Sequence, residues 1–149
     1  MIVVSNRSYG QVAHNTLDFY GIVLNKYVDF LSKIDSSKSV LNVTLYQYLN
    51  IDTLPIKSIG KYKINYITDN KSLAAIIPNK GANSLFQFYS MQIIDSNLME
   101  LSLLHFSISW SNKKKEGYTY TRYGTTTVTF KFNCELQAFE FFDFKYTEF

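Results

Sequence analysis

The sequence predicts an α+β domain, in which an N-terminal helix packs on a curved, mainly antiparallel β-sheet that ends in a three-stranded meander. Three observations carry this prediction. Apolar residues near the N-terminus recur at spacings of three and four, which is the period of a helix. From residue 41 onward they alternate with polar residues, which is the period of a strand. Aromatic residues make up 17% of the chain, and such rings are favoured in strands.

The helix is predicted to begin near Asn15 and to end at residues 35–37. Asn15 or Thr16 can cap its first turn, where Asp18 also complements the helix dipole. Other apolar side chains widen the stripe, so we expect the helix to be covered on more than one side. The apolar stripe itself consists of Leu17, Tyr20, Leu24, Tyr27, Val28, Leu31 and Ile34.

Alternation predicts three strands between the helix and the meander. They lie at residues 41–46, 61–66 and 85–94. An extended linker around Pro55 separates the first two strands. A short apolar run at residues 73–77 is closed by Pro78, and a turn follows at residues 79–83.

The last third of the chain predicts the meander. Residues 104–110 alternate between apolar and polar, residues 118–133 are β-branched and aromatic, and residues 135–146 close the chain. A charged turn separates the first two strands. The apolar parity changes between Phe141 and Phe142, so we expect either a β-bulge or a strand covered on both faces there.

Composition predicts one cytoplasmic domain over residues 1–149. Hydrophobic residues make up 46% of the chain and charged residues 18%, which is enough apolar surface for a core. Cys134 is the only cysteine, so no intrachain disulfide can form and a reducing compartment is expected. No apolar run has the length of a signal peptide or a membrane span, so we expect no membrane partner.

The side chains that carry chemistry are scattered. His14, His105 and Cys134 lack the spacing of a metal site, and no phosphate-binding glycine loop occurs. His105 lies beside Ser107 and Ser109, and Cys134 could approach it across the sheet, but a half-buried histidine that is hydrogen-bonded to a neighbour is the simpler interpretation. We therefore expect no catalytic residue, no metal and no cofactor.

A binding surface is predicted around the strand that follows the charged turn. Tyr118, Tyr120 and Arg122 share one strand face, and Tyr and Arg dominate protein–protein hot spots. Aromatic and cationic groups can also stack bases, whereas a row of cross-strand aromatic pairs would only stabilise the sheet. The candidate partner-binding residues are Tyr118, Tyr120, Arg122, Tyr123, Lys113, Lys114 and Lys115.

These observations predict a non-catalytic protein-binding module. Its most concrete form is a bacterial immunity protein that binds a cognate toxin and occludes its active site, because such proteins are small, single-domain and without catalytic residues. An abundance of Lys, Asn, Ile, Tyr and Phe, typical of AT-rich bacterial genes, agrees with this.

Two alternatives remain open at this point. The first is a small-molecule-binding or enzymatic domain with a pocket between the curved sheet and the helix, and its candidate pocket residues are Glu100 and His105. The second is a nucleic-acid binder. The net charge of +3 and the presence of only two arginines argue against nucleic acid.

Overall fold

A computed structural model describes residues 4–5, 12–13, 15–45, 54–77, 82–111 and 117–149 of the chain. Within these residues, ten strands form one sheet and two helices pack on it. The elements in chain order are β1 (Val4–Ser5), β2 (Val12–Ala13), α1 (Thr16–Ile34), β3 (Val40–Thr44), β4 (Ser58–Ile59), β5 (Tyr62–Tyr66), α2 (Asn70–Ile76), β6 (Ala82–Phe88), β7 (Gln92–Ile93), β8 (Leu98–Ser111), β9 (Gly117–Asn133) and β10 (Ala138–Glu148). The predicted class, an α+β fold with a large and mostly antiparallel sheet, is confirmed.

The sheet combines an antiparallel part with a smaller parallel part. Its strand order is β1-β10-β9-β8-β6-β3-β5-β4, while β2 also pairs with β10 and β7 with β8. The strands from β10 to β6 are antiparallel to their neighbours, whereas β3 runs parallel to both β5 and β6. Because parallel strands need a crossover connection, the chain between β5 and β6 carries α2. The carboxyl ends of β3, β5 and β6 therefore lie at the same edge of the sheet.

Helix α1 covers one face of the sheet, which we call the inner face. Its Phe19 ring lies 4.8 Å from the Phe130 ring of β9, and its Tyr20 ring lies 4.9 Å from Phe88 of β6, both in edge-to-face geometry. The opposite side of the sheet is the outer face. Because side chains alternate along a strand, the even-numbered residues of β8 point outward and the odd-numbered ones point inward.

The chain before β4 also covers α1. Ile56 lies so close to Gly21 that a Cβ at this glycine would come within 3.0 Å of Ile56 Cδ1. Leu54 is buried in the same core as α1. A side chain at position 21 would therefore require the Ile56 side chain to shift, so glycine suits the position although it weakens a helix interior.

Helix α2 covers part of the outer face. Leu73 and Ile77 pack against Leu85 of β6 and Ile108 of β8 in a second, smaller core. The apolar run predicted at residues 73–77 thus belongs to a short helix and its C-cap.

A capping box begins α2. Asp69 Oδ1 accepts a hydrogen bond from the Ser72 backbone N–H at 2.6 Å, and Ser72 Oγ accepts one from the Asp69 backbone N–H at 3.1 Å. These two bonds satisfy backbone groups that a helix N-terminus otherwise leaves without partners.

Replacing Asp69 with alanine is expected to lower the free energy of unfolding by about 1 kcal/mol, because the cap of α2 is lost. Urea denaturation measures the change. Asp69→Asn is the matched control, since asparagine caps about as well as aspartate and should cost little. An equal loss in the two variants would show that the charge of Asp69, and not its cap, stabilises the helix.

The strand pairing bears on two of the predictions. The pairing of β10 with β9 shifts between Phe141 and Asp143, as it does at a β-bulge, which is one of the two explanations expected from the parity change. The segment predicted as one strand over residues 85–94 is instead divided into β6 and β7, and both pair with β8.

Candidate functional site

His105 lies in the inner core. Its side chain is 0% exposed, and its Nε2 lies at hydrogen-bond distance, 3.1 Å, from Thr126 Oγ1. Its ring packs among aromatic rings, with centroid distances of 4.7 Å to Tyr27, 5.1 Å to Phe86 and 5.5 Å to Tyr146. Within the described part of the chain, its Nδ1 is buried without a hydrogen-bond partner. A side chain sealed in this way cannot contact a substrate.

The environment of His105 keeps its imidazole neutral. Burial is the largest cause that lowers the pKa of His105, and the positive charges of Lys38 and Arg122 act in the same direction, so that the pKa falls from 6.5 to about 3. The histidine is therefore uncharged at neutral pH. It acts as a polar member of the core that is held by Thr126.

The structure does not bring Glu100 and His105 together. The two residues have opposite parity on β8, so Glu100 points to the outer face, where Thr129 Oγ1 donates a hydrogen bond to Glu100 Oε1 at 3.3 Å. Cys134 is also remote, because His105 pairs with Gly124 and Cys134 follows the far end of β9, roughly 30 Å along the strand.

The outer face of β8 and β9 carries a row of rings and one cation, which we call the aromatic strip. Trp110 pairs with Tyr118 at a ring distance of 4.9 Å, and the Tyr120 ring lies edge-on to Phe106 at 6.4 Å. The members of the strip are Phe106, Trp110, Tyr118, Tyr120, Arg122 and Phe149.

Several members of the aromatic strip are open to solvent. Trp110 is 38% exposed, Tyr120 51% and Phe149 73%, while Tyr118 is half-buried against the smaller core. The guanidinium carbon of Arg122 lies 5.0 Å from the centre of the Phe149 ring. The Arg122 side chain also donates a hydrogen bond to Thr125 Oγ1, which fixes its position on the sheet.

Tyr123 does not belong to the aromatic strip. The pairing of β8 with β9 shifts between His105 and Phe106, which leaves Tyr123 as an extra residue, and its ring lies 5.8 Å from His105 on the inner face. Burial raises the pKa of Tyr123, and the Ser84 side chain partly offsets this effect. Lys113, Lys114 and Lys115 lie outside the described residues.

A cleft of about 340 Å³ opens between α2 and the outer face, next to Tyr120. It lies at the edge where β3 and β5 end, since Thr44 closes β3 and Ile67 follows β5. The lining residues are Thr44, Ile67, Thr68, Asp69, Asn70, Leu73, Leu85, Gln87 and Tyr120.

The cleft presents polar groups of several kinds above an apolar floor. Hydrogen bonds from Ser72 hold the pKa of the Asp69 carboxyl below its usual range, so this group is ionised at neutral pH. Burial raises the pKa of Tyr120, so its hydroxyl keeps its proton. Asn70 and Gln87 contribute amides, which both donate and accept. Groups that accept and groups that donate hydrogen bonds therefore line the same cleft.

Of the cleft residues, the sequence singles out only Tyr120, and it does so as a candidate for a partner-binding surface. One signal was available, because Thr68, Asp69 and Asn70 form a polar run between a strand and an apolar segment, where a helix cap is expected. Nothing local points to Thr44 or Gln87, since each is one polar residue in an alternating strand.

No three His, Cys, Asp or Glu side chains of the described ranges gather where they could hold a metal ion. Neither α1 nor α2, the helices of the part that the structure describes, is long and apolar enough to cross a membrane. The chain matches no protein-family model, no curated protein and no solved structure.

Proposed function

We propose that this chain is a non-catalytic protein-binding module, most concretely a bacterial immunity protein that acts in the cytoplasm. In this proposal the aromatic strip contacts a cognate toxin and occludes its active site. The observation that carries the proposal is the exposure of Trp110, Tyr120 and Arg122 side by side on one sheet face.

The composition of the aromatic strip supports a protein partner. Trp, Tyr and Arg are the residue types that contribute most binding energy in protein interfaces. Large rings that are exposed in a row cost free energy in water, so their retention on a surface favours a contact that buries them. The cation of Arg122 would direct the strip toward an acidic surface of the partner.

The strands that carry the aromatic strip support the proposal that it occludes the active site of a toxin. β8 and β9 are strands of 14 and 17 residues, and across them Trp110 pairs with Tyr118 and Phe106 pairs with Arg122. Arg122 is held by Thr125 and by the Phe149 ring. Side chains that are already ordered lose little conformational entropy on binding, which favours affinity.

The test starts from the gene that neighbours the coding sequence of this chain. Its product would be expressed alone and together with the chain, and we expect toxicity alone, rescue by the chain and a co-purifying complex. Trp110→Ala is expected to weaken the complex by about 2 kcal/mol, or roughly 30-fold, because a central ring leaves the interface. Calorimetry with the purified pair measures the change.

The control is Ile93→Ala, because Ile93 is an exposed apolar residue on β7, outside the aromatic strip. It should leave affinity unchanged. A neighbour that is harmless alone and does not co-purify would contradict the immunity function. A complex that tolerates Trp110→Ala and Arg122→Ala as well as it tolerates the control would remove the strip from the interface.

A further inference from the structure

The cleft beside α2 has the size of a small-ligand site. Its volume of about 340 Å³ falls within the range of roughly 300–1,000 Å³ that is typical of such sites. Ile67, Leu73 and Leu85 form an apolar floor, and polar side chains from four separate elements surround it. Polar residues make up most of the lining, so the cleft suits a ligand that is itself polar.

The charges near the cleft do not favour an ionic ligand of either sign. The ionised Asp69 carboxylate in the lining repels an anion. Lys71 lies exposed in the first turn of α2 and Arg122 is two residues from Tyr120 on β9, so positive charges next to the lining offset the attraction of the carboxylate for a positively charged ligand. A neutral molecule avoids both penalties.

The hydrogen-bonding groups select further among neutral ligands. Asp69 accepts, while the hydroxyls of Thr44 and Thr68 and the amides of Asn70 and Gln87 both donate and accept. The amide side chains of Asn70 and Gln87 make no hydrogen bond within the described part of the chain, so they are available to a ligand. Groups of both kinds match a ligand whose own groups donate and accept, as hydroxyls do.

Tyr120 adds an aromatic surface at the rim of the cleft. Its ring is held edge-on by Phe106 at 87°, and half of the residue remains exposed. The electron-rich face of such a ring attracts the weakly positive C–H groups of a sugar ring. We propose that the cleft binds a neutral polyhydroxylated ligand, a mono- or disaccharide. This site goes beyond the proposed protein interface and does not depend on it.

Nuclear magnetic resonance titration of the ¹⁵N-labelled full chain tests the proposal. The probes are glucose, galactose, mannose, N-acetylglucosamine, maltose and myo-inositol, with arginine and inorganic phosphate as charged comparisons. We expect at least one neutral probe to shift the backbone amides of residues 67–73 and the side-chain amide of Gln87. The absence of such shifts with every neutral probe, or tighter binding of arginine or phosphate at these residues, would overturn the proposal.

The matched variants are Gln87→Leu and Gln92→Leu. Gln87 lines the cleft, whereas Gln92 is an exposed glutamine of β7 outside it. Loss of two amide hydrogen bonds at Gln87 should weaken sugar binding by about tenfold or more, and the Gln92 variant should bind as the unaltered chain does. Equal affinity of the two variants for the sugar would contradict the proposal that the ligand binds in the cleft. Circular dichroism establishes that both variants are folded.

These experiments test the cleft and the aromatic strip independently of each other. Gln87→Leu should leave the toxin complex intact, and Trp110→Ala should leave the sugar-induced shifts intact. Loss of sugar binding in Trp110→Ala would contradict the assignment of the ligand to the cleft.

Discussion

Acidification from pH 7 to pH 4 is expected to lower the free energy of unfolding by about 3 kcal/mol through His105 alone. The folded-state pKa of His105 is about 3, while its unfolded value is about 6.5. Below pH 6.5 the unfolded chain therefore binds a proton at His105, whereas His105 in the folded chain stays neutral until the pH approaches 3. The stabilisation is complete above pH 6.5 and is lost as the pH falls toward 3, because over this range a proton binds to His105 in the unfolded state and not in the folded state.

Urea denaturation at pH 7, 5.5 and 4 measures this effect. Other groups add to it at the acid end, since Asp35 and Asp69 also have lowered pKa values and lose stabilisation when they are protonated. The contribution of His105 begins at a higher pH than theirs, between pH 6.5 and 5. Typical domains are stable by only 5–15 kcal/mol, so the loss is a large part of the total.

The comparison variant is His105→Gln, which keeps a nitrogen near Thr126 but does not titrate. Its stability between pH 6.5 and 5 should change much less with pH than that of the unaltered chain. His14→Gln replaces the other histidine of the sequence and serves as the control. If His105→Gln kept the full pH dependence, His105 would not be the group that binds the extra proton.

Phe130→Ala is expected to lower the free energy of unfolding by about 3–5 kcal/mol. Phe130 is fully buried on the inner face, and its ring meets Phe19 of α1 at 89° and 4.8 Å. Truncation removes this contact and leaves a cavity between α1 and β9 that the long strand cannot close. Urea denaturation measures the loss, and faster hydrogen exchange of α1 amides would locate it.

Phe142→Ala is the matched control for this change. Phe142 lies at the β-bulge of β10 and is 37% exposed, so its truncation creates no enclosed cavity. We expect it to cost less than about 1 kcal/mol. Similar losses in the two variants would mean that Phe130 does not anchor α1 to the sheet.

Part of the candidate site followed from strand geometry. Tyr118, Tyr120 and Arg122 lie on one face because side chains alternate along a strand, and the alternation is visible in the sequence. Tyr123 was assigned to the same surface by proximity in the chain alone. The bulge opposite His105 and Phe106 turns it inward, where it packs near His105.

The cleft could not be predicted in the same way. Thr44, Asp69, Gln87 and Tyr120 are far apart in the chain, and they meet because β3 pairs in parallel with β5 and β6 and because α2 crosses the outer face. Alternation in a strand states which residues share a face, but it does not state which strand is the neighbour or in which direction it runs.

The helical and strand periods of the sequence determine the α+β class of this protein by themselves. Helical and strand periods follow from local backbone geometry, so they can be recognised in a short segment such as residues 17–34 or 104–110. The order of the strands, the enclosure of His105 and the part of the outer face that α2 leaves open were decided only by the tertiary structure. These features depend on the sum of many contacts between distant segments, which no local pattern records.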